Sequence, residues 1–272
     1  TVDPDLLDSE ETTFDATVSF RLNSATTLST AFSQFDLDED GVNGTQRTIR
    51  RYSLEAEHAV SSATSFTASI NNTDIDTNTT ATGEGGLGFG FGVSHLRPNG
   101  DVSLSISSDE TVNGFRHQTQ AGRSFNLPRG DLALSFGLSK TEGFSWEPLV
   151  NANLEYEVAS RSTLNFELSQ TATVNNSDEE ILRTRMRVSY NHFINNRSSL
   201  SGSLQYAKQD IAAAGGDDED TLRASLAYRY DVGSNWDMVT GAEYRRTNNT
   251  TSDDRTTKSL FVGVEKAISF RP

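Results

Sequence analysis

The chain has 272 residues, no cysteine, 23 basic against 38 acidic side chains for a net charge of −15, and 34% hydrophobic residues with a mean hydropathy of −0.52. No stretch reaches the roughly 20 consecutive apolar residues of a transmembrane helix. The missing cysteines exclude a disulfide scaffold and a thiolate metal site, and so acidic a balance argues against nucleic acid, whose phosphates need a basic face. Low hydrophobicity with high net charge also makes disorder a candidate, and the order of the residues decides against it.

Residues 1–13 carry Asp3, Asp5, Asp8, Glu10 and Glu11 and read as an acidic segment ahead of a first strand at about 14–22, where Phe14, Ala16, Val18, Phe20 and Leu22 recur in steps of two. The alternation returns at Tyr52, Leu54, Ala56, His58 and Val60, at Leu87, Phe89, Phe91 and Val93, and at Val102, Leu104 and Ile106. It continues through Leu132 to Leu138, Val150 to Val158, Leu164 to Leu168, Leu182 to Tyr190, Leu200 to Tyr206, Leu222 to Tyr228 and Leu260 to Val264. Ser, Thr, Asn, Gln, Glu, Arg and Gly fill almost every position between. This is the two-residue period of a strand with one apolar face, and no stretch shows a helical period. About fifteen such segments of about 8 to 11 residues are present, the length a tilted strand needs to cross a bilayer.

The connections alternate in kind. Short turns such as Asn23-Ser24, Arg97-Pro98-Asn99-Gly100 and Asn195-Asn196-Arg197 follow the odd-numbered segments. Longer acidic stretches at about 36–46, 72–84, 107–113, 141–148, 173–180, 208–220 and 246–256 follow the even-numbered ones. Short turns at one end and long loops at the other is the layout of outer-membrane barrels, with the long loops outside the cell. The predicted fold is all-β: a transmembrane antiparallel up-and-down β-barrel over 14–272, of about 14 to 16 strands, with 16 favoured if a strand lies upstream or residues 1–13 contribute one. A soluble sandwich would not sustain so many regular hairpins or so complete a polar face. Trp146 near the loop end and Tyr190, Phe193, Tyr230 and Trp236 near the turn end fall where interfacial girdles belong.

The closing stretch Leu260-Phe261-Val262-Gly263-Val264-Glu265-Lys266-Ala267-Ile268-Ser269-Phe270 is amphipathic with an aromatic near its end, followed by Arg271 and Pro272. It resembles the C-terminal signal of Gram-negative outer-membrane barrels. The resemblance implies an outer-membrane location, insertion by the barrel-assembly machinery with Phe270 as signal residue, and a bilayer with lipopolysaccharide as surroundings. Because the first clear strand ends in a short turn, it runs from outside inward. The reading therefore expects either a longer precursor of which this is the C-terminal portion, or a second polypeptide that completes the barrel.

Charge is partitioned. The seven acidic stretches and the N-terminal segment together carry a net −23, leaving +8 for the strands and turns. Asp36, Asp38 and Asp40, with Gly41, match the first half of a calcium loop, in which alternating carboxylates converge on a hard cation, although Arg47 stands where the closing Glu belongs.

On the polar face, taken as the lumen, the earlier strands offer mostly small groups, among them Ser33, Thr67, Ser69, Gly88, Gly90, Gly92, Ser103 and Ser105. Arg51, Glu55 and Glu57 are the early charged exceptions. Later strands contribute Glu155, Glu157 and Glu167, then Arg183, Arg185 and Arg187, then Arg223, Arg229, Glu243 and Arg245. The Arg183/Arg185/Arg187 ladder forms a basic track able to pass an anionic or hydroxylated solute between donor forks, or pairs with Glu155, Glu157 and Glu167 to stiffen the wall. His58, His95, His117 and His192 all fall on the lipid-facing register, away from the hydroxyl or water a general base would need, so no enzyme is expected. Three functions fit: a diffusion channel for small hydrophilic or anionic solutes, an export barrel of a polysaccharide or surface-molecule secretion system, and a plugged, non-conducting anchoring or assembly barrel with a protein partner.

Overall fold

The computed structural model describes residues 9–39, 46–77, 85–111, 113–174, 180–211, 219–233, 235–249 and 254–266. They form fifteen strands: β1 Ser9–Arg21, β2 Thr26–Glu39, β3 Gln46–Ala59, β4 Thr64–Thr77, β5 Gly86–Arg97, β6 Gly100–Thr111, β7 Gly114–Leu127, β8 Gly130–Thr141, β9 Trp146–Ala159, β10 Ser162–Val174, β11 Glu180–Phe193, β12 Ser198–Ile211, β13 Glu219–Gly233, β14 Trp236–Asn249 and β15 Arg255–Lys266. In one antiparallel sheet they follow chain order from β1 to β15. The chain divides into two compact units, one holding β1–β6 with parts of β7 and β8, the other holding most of β9 and β10 and all of β11–β15 with the remainder of β7 and β8.

Within each unit the register keeps apolar and polar residues on opposite faces. In the first, Phe20, Leu28, Ala56, Ala68, Phe91 and Ile106 are successive cross-strand partners from β1 to β6. One residue away runs the row Ser19, Ser29, Glu55, Ser69, Gly90 and Ser107. In the second unit Tyr190, Gly202, Leu226, Ala242 and Leu260 form an apolar row across β11–β15. Side chains alternate between faces, so a one-residue slip would turn every apolar group to the wrong side.

The apolar face is the exposed one. Among the described residues only Leu149 and Ile181 are buried hydrophobics, while Phe20, Phe91, Leu226, Leu260 and Val262 stand open to their surroundings, Leu260 at 87%. A soluble sandwich closes its apolar faces on each other; this sheet presents its apolar face outward, as a wall in lipid must.

The strands are 12 to 15 residues long, more than the apolar alternation alone supports. The excess lies at the loop end, inside stretches expected to be loops, and cross-strand polar contacts hold it. Asp36 on β2 accepts hydrogen bonds from Thr48 on β3 and from Gln34, both at 2.7 Å. Arg50 on β3 pairs with Asp74 and Asp76 on β4 at 3.4 and 2.8 Å. Asn248 on β14 donates to Asp220 on β13 at 3.0 Å, and Arg246 pairs with Asp254 at 3.0 Å.

The first strand likewise begins at Ser9, inside the segment expected to be a loop. Two connections expected to be long are tight: only 112–113 joins β6 to β7, and only 142–145 joins β8 to β9. Six of the seven expected short turns lie within the described residues and are present, and the seventh, at 233–235, includes Ser234, which lies outside them. In the β5–β6 turn, Arg97 pairs with Gly100 across Pro98 and Asn99, and Gly100 takes φ +104°, a conformation that favours glycine.

The two faces should respond oppositely to charge. Phe91→Arg places a guanidinium in the apolar row and should destabilise the folded protein by about 2–4 kcal/mol, whereas Ser105→Arg on the polar face should cost about 1 kcal/mol or less. Reversible urea unfolding in phospholipid vesicles measures both.

Candidate functional site: the charged wall of strands 10 to 14

The polar face of β1–β6 is built from small groups for a local reason. A Cβ at Gly88 would collide with the carboxylate of Asp109 and the amide of Asn71, and one at Gly90 would press on Ser69 Oγ. The β5 glycines therefore make room for side chains of the flanking strands. Thr67, Ser69, Gly90, Gly92, Ser103 and Ser105 line a cavity of about 400 Å³ there. Arg51, Glu55 and Glu57 lie on the same face of β3, opposite Ser33, Ser29 and Thr27 of β2.

In the second unit the charged residues converge. Glu167, Ser169, Arg185, Arg187, Gln205, Thr221, Arg223 and Arg245 line a cavity of about 540 Å³. Its floor is set by register: Arg187 of β11 faces Gln205 of β12, Gln205 faces Arg223 of β13, and Arg223 faces Arg245 of β14. With neighbouring strands about 4.8 Å apart, Arg187 and Arg223 stand about 10 Å apart at the backbone and Arg245 one strand further. Long guanidinium side chains from all three can therefore reach one solute.

Arg223 directly opposes Arg245, an unfavourable like-charge pair. Glu243, two residues from Arg245, relieves half of it through a two-pronged fork on Arg223 at 2.8 and 2.9 Å. Among the described residues Arg185, Arg187 and Arg245 have no ion-pair partner. Arg183 is held apart from them, donating to Gln209 at 3.4 Å.

Glu157 pairs with Arg129 at 3.7 Å and lies opposite Thr163, Glu155 lies opposite Asn165, and Glu167 is the one that reaches the cavity. Arg229 pairs with Glu265 of β15 at 2.7 Å and lies 3.9 Å from Asp237. Sequence spacing did not show Glu265 as a partner, because it is 36 residues away and only the β13–β14–β15 register brings it near. The arginines thus form a band across four strands more than a ladder along one.

The calcium candidate falls partly outside the described residues, since Asp40 is not among them. Asp36 is a strand residue whose carboxylate is occupied by Thr48 and Gln34, and Asp38 follows it within β2. Phe270 also lies outside the described residues. Three histidines do have hydroxyl partners, contrary to expectation: His58 with Thr26, His95 with Thr64 and His192 with Ser162, at 3.0, 2.9 and 2.8 Å. His117 stacks on Phe115. Among the described residues no carboxylate contacts the far nitrogen of any of the three.

No family model matches the sequence, and no curated protein matches it. Solved structures do. A variant of the ferric enterobactin receptor PfeA from Pseudomonas aeruginosa aligns at 7% identity over 94% of this chain and 61% of its own, with a TM-score of 0.52. The copper transporter OprC aligns at 12% identity over 91% and 54%, with a TM-score of 0.51. The alcaligin outer-membrane receptor FauA from Bordetella pertussis aligns at 12% identity over 93% and 57%, with a TM-score of 0.45. The chain spans little more than half the length of these three. At such identity the likeness shows the fold alone, and it agrees with the alternating register and the exposed apolar face. Its fold is that of outer-membrane β-barrels.

Proposed function

We propose that the protein is a channel that passes small hydrophilic or anionic solutes through its charged lumen, with Arg185, Arg187, Arg223 and Arg245 as the groups that contact the solute. The observation that carries this reading is their convergence on one cavity of about 540 Å³ with a single glutamate, Glu167, among the lining residues. A stabilising wall would interleave opposite charges; here Arg223 and Arg245 are direct cross-strand partners and only one of them is neutralised. An anion between Arg187, Arg223 and Arg245 would supply the missing countercharge through forked hydrogen bonds. Conduction also requires that binding be weak enough to release, and a row of solvated arginines with no closed shell around it meets that condition.

Reconstituted into planar bilayers, the protein should give discrete conductance steps with anion preference, and silence across a wide range of voltages would overturn the channel reading. Replacing Arg187, Arg223 and Arg245 together with serine should move the reversal potential in a salt gradient toward cations. A fall of the anion-to-cation permeability ratio of about threefold is expected from removing fixed charges that focus ions in a lumen.

Glu243→Gln provides the opposite test. It frees Arg223 from its fork and should raise anion preference. Because the Arg223 and Glu243 side chains are 50% and 28% exposed, folding stability should change by less than about 1 kcal/mol. Reversal potentials and urea unfolding of the same preparation measure the two effects.

A further inference from the structure

One local arrangement repeats at the short-turn ends of the strands. His58 lies opposite Thr26, His95 opposite Thr64 and Tyr230 opposite Ser198, each pairing the first residue of an even strand with a residue near the end of the following odd strand. The next residue then donates its N–H back across the junction. Ala59 bonds to Ala25, Leu96 to Ala63, Glu157 to Arg129, Phe193 to Arg161 and Asp231 to Arg197, at 2.6 to 2.9 Å. The residue ahead of each donor is His58, His95, Tyr156, His192 or Tyr230. One slot therefore recurs, twice in the first unit and three times in the second, and in these five places an aromatic ring with a polar tip fills it, whereas Trp236 at the start of β14 lies opposite Lys266.

Three of the four histidines in the chain occupy this slot, and each is latched through Nδ1 to a hydroxyl. Where the hydroxyl donates to Nδ1, the ring carries its proton on Nε2, and that orientation leaves Nε2–H as an outward donor. Among the described residues no acceptor meets that donor.

Next to these rings on the same face lie apolar groups: Ala56 and Leu54 beside His58, Val93 and Phe91 beside His95, Tyr190 and Val188 beside His192. The rings thus mark the border of the face that lipid tails cover, where amphipathic rings settle. Beyond the border four of the seven short turns carry an arginine, and the two beside His58 carry none. Arg97 follows His95 by two residues at the end of β5, Arg161 precedes the latch residue Ser162, and Arg197 ends the β11–β12 turn.

We propose that His58, His95 and His192, each held by its hydroxyl latch and the last two aided by the turn arginines, bind the phosphate of phospholipid headgroups on the turn side of the membrane. At that depth phosphate is the abundant acceptor, and its charge complements both the Nε2–H donors and the arginines. The inference rests on the membrane placement of the fold and is independent of the channel reading.

The test uses the full chain folded in dodecyl maltoside micelles, with native mass spectrometry counting retained lipid after addition of dioleoyl phosphatidylglycerol or a phosphate-free monogalactosyl diacylglycerol. Wild type should retain the phospholipid in preference. The H58F/H95F/H192F variant keeps rings at the border but removes the donors, and should lose more than about half of that preference. T26A/T64A/S162A keeps the histidines but releases their orientation, and should lose a smaller share. This second variant also carries the test if the first fails to fold. Undiminished preference in either folded variant, or no preference in wild type, overturns the proposal. Channel conductance is read separately, so its loss leaves this result standing, and a lost lipid preference leaves conductance standing.

Discussion

Everything else in this molecule depends on the parity of the antiparallel ladder. In hydrocarbon no water satisfies a backbone N–H or C=O, so each strand must pair with its neighbours along the whole apolar band. Once strands are paired, the side-chain period of two leaves a single choice, namely which face each strand shows to lipid. The rows from Phe20 to Ile106 and from Tyr190 to Leu260 keep that choice without a slip across six and five strands. Two of the register shifts fall at Ser162/Thr163 and Asp231/Gly233, both against short turns, where pairing can break without exposing backbone to lipid tails.

The same parity explains how a chain with 34% hydrophobic residues lives in a membrane. Only every second residue over part of each strand needs to be apolar. The outward face need not be apolar for the full strand length either. Beyond the band, Asp36 with Thr48, Arg50 with Asp74 and Asp76, and Asp220 with Asn248 continue the hairpins by polar contacts. In water an exposed ion pair contributes little, but several acting on strands already paired below them suffice to extend the ladder by a few residues. The acidity assigned to loops is therefore partly a property of strand ends.

That is also where sequence reading reached its limit. Alternation is a local signal, so it revealed the strands, their faces and the short turns of the described residues, because Phe89, Phe91 and their like carry the period on their own. Strand ends made of Asp, Asn and Thr carry no apolar period, and their extension depends on partners 12 to 28 residues away. The tight connections at 112–113 and 142–145 were hidden for the same reason, since polar strand residues around them read as loop. The site shows the same division. The spacing of Arg183, Arg185 and Arg187 was visible, but register separates Arg183, bound to Gln209, from the other two and adds Arg223 and Arg245 to them.

Orientation across strands changes what the arginines can do. Along one strand, same-face positions are nearly 7 Å apart, so a ladder offers a solute successive steps. Across strands the spacing is shorter, and in Arg187, Gln205, Arg223 and Arg245 the row is interrupted only by a neutral amide that both donates and accepts. A solute meeting this row meets several guanidiniums at one depth, while Arg185 gives one step along the strand direction. In the proposed channel Glu243 would matter more for selectivity than for stability: by occupying Arg223 it would set how many of the guanidiniums remain open to a passing anion, and it does so from the strand that carries Arg245.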